Sequence, residues 1–212
     1  MTTDPTSSLE PSALHGLARP LMVLSGLALL VGTPFEVMTA FDDRPFAEVA
    51  AGGPHRTAAW LILLGFGALL LAVPALATHV GPAGRRFGRT VTLLAMLGAA
   101  GGMVSQWYIG TVLPWLAGSA HPDLTGEMGG LPLYGSMLLL VVGLLALGIG
   151  SVRTRLLPRP AAVMLIVAAV GGIFPFVLVP LAGAALLWGG TAGLRSPAPA
   201  AYDPAPAVPT AS

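Results

Sequence analysis

Long apolar runs separated by short polar breaks set the pattern of this chain. Four of them, 20–40, 58–78, 90–113 and 131–151, carry at most one charged side chain each. Their length suits a hydrocarbon core about 30 Å thick crossed at about 1.5 Å per residue. A fifth stretch, 160–194, would reach roughly 50 Å as one helix and must therefore turn. Pro175 and Pro180 bracket Phe176 to Val179, which predicts a turn there and two short spans, 160–176 and 179–194. One span followed by a helix lying in the interface is the alternative. It is disfavoured because Leu181 to Gly190 has no charged face to turn to water. The expectation is an all-α transmembrane bundle over 16–195, with six spans arranged as three hairpins. A flexible segment at 1–15 precedes it and a disordered Pro/Ala-rich tail at 196–212 follows.

A repeat runs beneath this pattern. Arg19, Arg89 and Arg159 lie 70 residues apart and each precedes an apolar run. The same spacing relates Gly32, Gly102 and Gly172, and again Ala28, Gly98 and Ala168. Small residues four apart let helix backbones approach in a membrane, where apolar burial does not itself drive helices together. These six positions are therefore expected to be packing notches at one depth of the first, third and fifth spans. Hairpins repeated in parallel would bring those odd-numbered spans together.

Composition strengthens the membrane reading. Hydrophobic residues make up 55% of the chain and charged ones 9%, with a mean hydropathy of +0.82. Too few polar side chains remain to coat a water-soluble fold. A formal charge of +1 argues against nucleic acid as a partner, and the lack of cysteine excludes disulfides and thiolate chemistry. Eight arginines (19, 85, 86, 89, 153, 155, 159 and 195) fall on one side of the six-span scheme, against Arg44 and Arg56 on the other. Positive residues in short loops stay cytoplasmic, so both termini are expected inside, in a plasma (inner) membrane. Glu36, Asp42, Asp43, Glu48, Asp123 and Glu127 then lie at or near the outer face, as do Trp60, Trp107, Tyr108, Trp115 and Tyr134, an aromatic belt.

Candidate chemistry is sparse. No phosphate-cradling loop, dinucleotide fingerprint, nucleophile elbow or His-Glu-x-x-His helix occurs, so no catalytic residue or cofactor is implied. Glu36, two residues after Pro34 and just inside the outer end of the first span, is the leading candidate, because an ionisable group at membrane depth is costly. Gln106 and Tyr108 of the third span are its expected partners in an intramembrane polar site. The plainer reading gives Glu36 to headgroups, to water, or to hydrogen bonds donated by Gln106, Trp107 or Tyr108 of the third span. His55, His121, Asp123 and Glu127 are nitrogen and oxygen donors on the outer side, yet their spacing defines no ligand set and no metal is assigned to them. His15 and His79 fall on the opposite side, which argues against a haem held by two histidines.

Around Arg153-Thr-Arg-Leu-Leu-Pro-Arg-Pro160, the junction of the fourth and fifth spans, the chain resembles a broad group of small, uncharacterised bacterial membrane proteins with five or six helices. The resemblance implies a bacterial inner-membrane protein and carries over no site residues. The functional expectation is a non-enzymatic membrane module or accessory subunit, with the bilayer, a membrane-protein partner or a second copy as its company. The alternative is a small proton- or cation-coupled transporter using Glu36. A lipid enzyme built on His121, Asp123 and Glu127 ranks behind both.

Overall fold

The computed structural model describes residues 11–44, 46–80, 85–118, 130–171, 175–192 and 194, and among these there is no strand. Its helices are α1 (Pro11–Ala40), α2 (Phe46–Ala51), α3 (Gly53–Ala77), α4 (Arg85–Trp107), a π turn (Tyr108–Val112), α5 (Leu113–Ala117), α6 (Gly130–Thr154), α7 (Arg159–Val170) and α8 (Pro175–Thr191). Residues 11–15, placed in a flexible segment by the sequence reading, are the start of α1. Residues 1–10 and the tail expected at 196–212 lie outside the described residues.

Three helical stretches, Gly16–Ala40, Gly53–Ala77 and Leu133–Thr154, are long and apolar enough to cross a membrane. The fifth apolar stretch is divided, although not where its prolines suggest. α7 stops at Val170, with Gly171 as its C-cap, and α8 begins at Pro175 and keeps Pro180 inside it. A proline suits the first turn of a helix because its missing N–H has no partner to lose there. Pro175 thus opens a helix that the sequence reading had begun at Val179. At 12 residues, α7 is only about 18 Å long, short of a full crossing.

Each long helix packs on the next in chain order, α1 on α3, α3 on α4, α4 on α6, α6 on α7 and α7 on α8, and α8 returns to α1. The paired positions run antiparallel. Gly32 meets Ile62 while Gly65 meets Leu29, and Gly26 approaches Gly183 and Leu187 while Gly190 approaches Arg19 and Val23. Turns at alternate ends therefore give the bundle two distinct poles. Phe66, Leu29, Leu69, Leu144, Leu165 and Leu178 fill the core. Outward faces are apolar as well, since Leu24, Leu27, Leu71, Leu93, Leu138 and Val163 are exposed. Helices hydrophobic on both faces are what a lipid surround requires.

The notches pack on neighbouring helices. A Cβ built on Gly98 would lie 2.6 Å from Gly143 Cα, one on Gly32 would lie 2.7 Å from the Ile62 side chain, and one on Gly102 would lie 2.7 Å from the Phe66 ring. Ala28 and Ala168 are buried, and Gly172 lies outside the described residues. The repeat does not extend to these contacts. Gly32 of α1 faces forward to α3, whereas its counterpart Gly102 of α4 faces back to α3. The helices of the first, third and fifth expected spans (α1, α4 and α7) pack on the helices next to them in chain order, and α1 also on α8, rather than mainly on one another.

Candidate functional site

One pole carries a cavity of about 320 Å³, bordered by the polar side chains of Glu36, Thr39, Asp42, Arg44, His55 and Gln106 together with Val49, Ala58, Ala59 and Ile109. Its walls come from the end of α1, the start of α3 and the end of α4. The six-residue α2 packs on α3 and α5 and contributes Val49, so a short apolar element forms part of the rim.

The α1 wall follows from Pro34. A proline inside a helix removes one i to i−4 hydrogen bond, and Thr33 just before it donates its Oγ1 hydrogen to Leu29 O at 2.8 Å. One turn later Thr39 Oγ1 donates to Glu36 O at 2.8 Å, which binds the last turn of α1 and fixes the backbone that carries Glu36. The Glu36 carboxyl carries an oxygen, Oε2, that is buried and has no hydrogen-bond partner. Buried carboxylate oxygens are ordinarily satisfied, and one that is not marks a place where something else can bind.

The opposite wall follows from Pro114. Leu113 N–H reaches back five residues to Tyr108 O, the π-turn bond. Continued one step, that ladder would need an N–H from residue 114 to reach Ile109 O, and proline has none. His55 fills the gap, with Nε2 3.1 Å from Ile109 O. A carbonyl can only accept, so Nε2 carries the hydrogen. π turns in otherwise regular helices frequently mark functional sites, and here the turn couples the α3 wall to the α4 wall.

At the mouth, Arg44 forks onto Asp42, with Nε at 2.9 Å and 3.2 Å from the two carboxylate oxygens and Nη2 at 2.6 Å from Oδ2. Hydrogen bonds from Arg44 to the side chain hold the Asp42 carboxyl well down, at about 2. The cation nearest in sequence to Glu36 is therefore already engaged by another acid.

Of the expected polar site, Glu36 and Gln106 border the same cavity, while Tyr108 is buried in the π turn and does not line it. His55, weighed in the sequence as a metal ligand, instead joins this cavity. His121, Asp123 and Glu127 lie outside the described residues. Among the described residues no group of three or more His, Cys, Asp or Glu side chains is arranged to hold a metal ion. The His55 to Ile109 bond went unforeseen in the sequence, although Pro114 inside an apolar helix was a usable signal of a carbonyl left without its donor. Asp42 and Arg44 were read as loop charges and not as a mouth. The chain matches no protein-family model, no curated protein and no solved structure, so the meaning of the cavity rests on its own geometry.

Proposed function

We propose that this chain is a bacterial inner-membrane protein with six membrane-embedded helical segments and both termini cytoplasmic, and that its outer cavity binds a proton or small monovalent cation at Glu36 in the course of coupled transport. The observation that carries this reading is Glu36, which borders the outer cavity and whose Oε2 is buried without a hydrogen-bond partner. A negative group in a low-dielectric surround attracts a positive partner strongly. Its place in the last turn of α1, at the negative end of the helix dipole, adds to that attraction. Gln106 borders the same cavity, and its amide oxygen would suit a cation as a second ligand.

A flux assay on the full chain in liposomes tests this. Sodium or potassium gradients should drive uptake or counter-movement of protons, read by an internal pH dye, and Glu36→Gln should reduce the rate at least tenfold. Equal fluxes from wild type, Glu36→Gln and empty liposomes would refute transport. The second reading, a non-enzymatic membrane module, is favoured by the filled core around Phe66 and by the close backbone contact of Gly98 with Gly143, features of a rigid bundle. It predicts no flux and the same behaviour for wild type and Glu36→Gln.

A further inference from the structure

The pole opposite Glu36 has a different chemistry. Antiparallel pairing places Arg19, Arg89, Arg153, Arg155 and Arg159 there, and the acids among the described residues, Glu36, Asp42, Asp43 and Glu48, all lie at the other pole. At the junction of α6 and α7, Ser151, Arg155 and Arg159 border a cavity of about 290 Å³ with Val152 and Leu157. Ser151 is 1% exposed, yet its hydroxyl has no hydrogen-bond partner. Leu156 and Leu157 are buried and pin the connecting loop to the core, so the cavity is held by packed elements.

Arg155 makes the site more specific. It is the first residue after α6 and has φ 55°, the left-handed conformation that usually closes a helix with glycine or asparagine because a Cβ is disfavoured there. An arginine held in that conformation directly before the buried Leu156 is fixed in place by its backbone. Arg159 opens α7, where Pro160 has no N–H and Ala162 N–H already bonds Pro158 O at 3.1 Å, so the backbone N–H groups of Arg159 and Ala161 are the ones left to face an anion. Planar guanidinium groups match the paired oxygens of phosphate, and the Ser151 hydroxyl can donate a further bond.

We propose that this cavity is a binding site for a phosphate-bearing anion, held by Arg155, Arg159 and Ser151. The site is independent of the Glu36 cavity in position and in charge. A lipid headgroup and free phosphate share the necessary chemistry, and the test separates them. The full chain in a neutral detergent is titrated with inorganic phosphate, and separately with short-chain phosphatidylglycerol against diacylglycerol of equal chain length, with thermal unfolding as the readout. Saturable stabilisation by either phosphate compound supports the site. A response to phosphatidylglycerol alone assigns it to a headgroup, and a response to inorganic phosphate assigns it to the free anion. Arg159→Gln and Arg155→Gly should each weaken the apparent affinity about fivefold, the effect of one arginine at a membrane surface. Arg155→Gly also relieves the left-handed backbone, so it should fold at least as well as wild type and keeps the test decisive if Arg159→Gln misfolds. Arg89→Gln, at the same pole but outside the cavity, should leave the affinity unchanged. No saturable response, or equal weakening by Arg89→Gln, would overturn the proposal.

Discussion

At the scale of single residues, two prolines and their neighbours explain the cavity. Pro34 and Pro114 each leave a helix locally short of a backbone bond, and Glu36 and His55 stand beside the places affected. His55→Phe keeps the bulk but removes the donor to Ile109 O. Ile109 O is part-buried, and losing a hydrogen bond there costs about 1 kcal/mol, so this variant should unfold at a lower temperature in a calorimetric scan. Retention of wild-type stability would show that the His55 bond contributes nothing. Asp42 gives a pH prediction with a definite sign. Its folded-state carboxyl is lowered from 3.8 to about 2 by Arg44, so the stabilisation it brings is complete above 3.8 and is lost as pH falls through about 2. The carboxyl carbon resonance of Asp42 should therefore stay constant from neutral pH down to about 4 and move only near 2, whereas in Arg44→Ala it should move near 3.8. Glu36 was legible in the sequence because a lone acid inside an apolar run stands out. The burial of its Oε2 without a hydrogen-bond partner was not, since that depends on how α1, α3 and α4 pack around the cavity they share.

At the scale of elements, glycine placement decides how closely helices approach. Gly98 and Gly143 face each other with no room for a side chain. Gly98→Ala should therefore destabilise the bundle by about 1–3 kcal/mol, as overpacking does. Gly135 lies inside α6 with nothing within 4 Å of an added Cβ, and Gly135→Ala should stabilise by about 0.5–1 kcal/mol. Thermal unfolding of the two variants in lipid checks both signs together. The long helices were legible because apolar runs of membrane length have few alternatives. The break in the fifth run was harder to place, since Pro175 serves equally as the end of one helix and the start of the next, and Gly171 just after Val170 gave the better signal. The π turn has no sequence signature beyond Pro114. The repeat at 70 residues marked buried small positions without revealing which neighbour each one meets.

At the scale of the whole molecule, one pole gathers the acids and most of the exposed aromatic rings among the described residues, and the other gathers most of the arginines together with the exposed Trp188. Trp60, Trp107, Trp115 and Tyr134 are exposed and antiparallel pairing places all four at the Glu36 pole, which suits an interface between lipid and water. The absence of native cysteine makes orientation directly measurable. In intact cells a membrane-impermeant maleimide should label Asp43→Cys, and should label Arg153→Cys only after the membrane is opened; the reverse order would invert the proposed topology. Binding at Glu36 is the central claim, and its most direct test is the thermal unfolding of the full chain in neutral lipid discs, titrated with sodium, potassium or tetramethylammonium chloride, with N-methylglucamine chloride holding ionic strength constant. A ligand at tenfold its dissociation constant stabilises by about 1.4 kcal/mol, or roughly 3–6 °C for a chain of this size. At least one of the three cations, or the proton in a pH scan at fixed salt, should give that shift in wild type and none should in Glu36→Gln; identical responses from the two proteins to every cation and to pH would contradict the account.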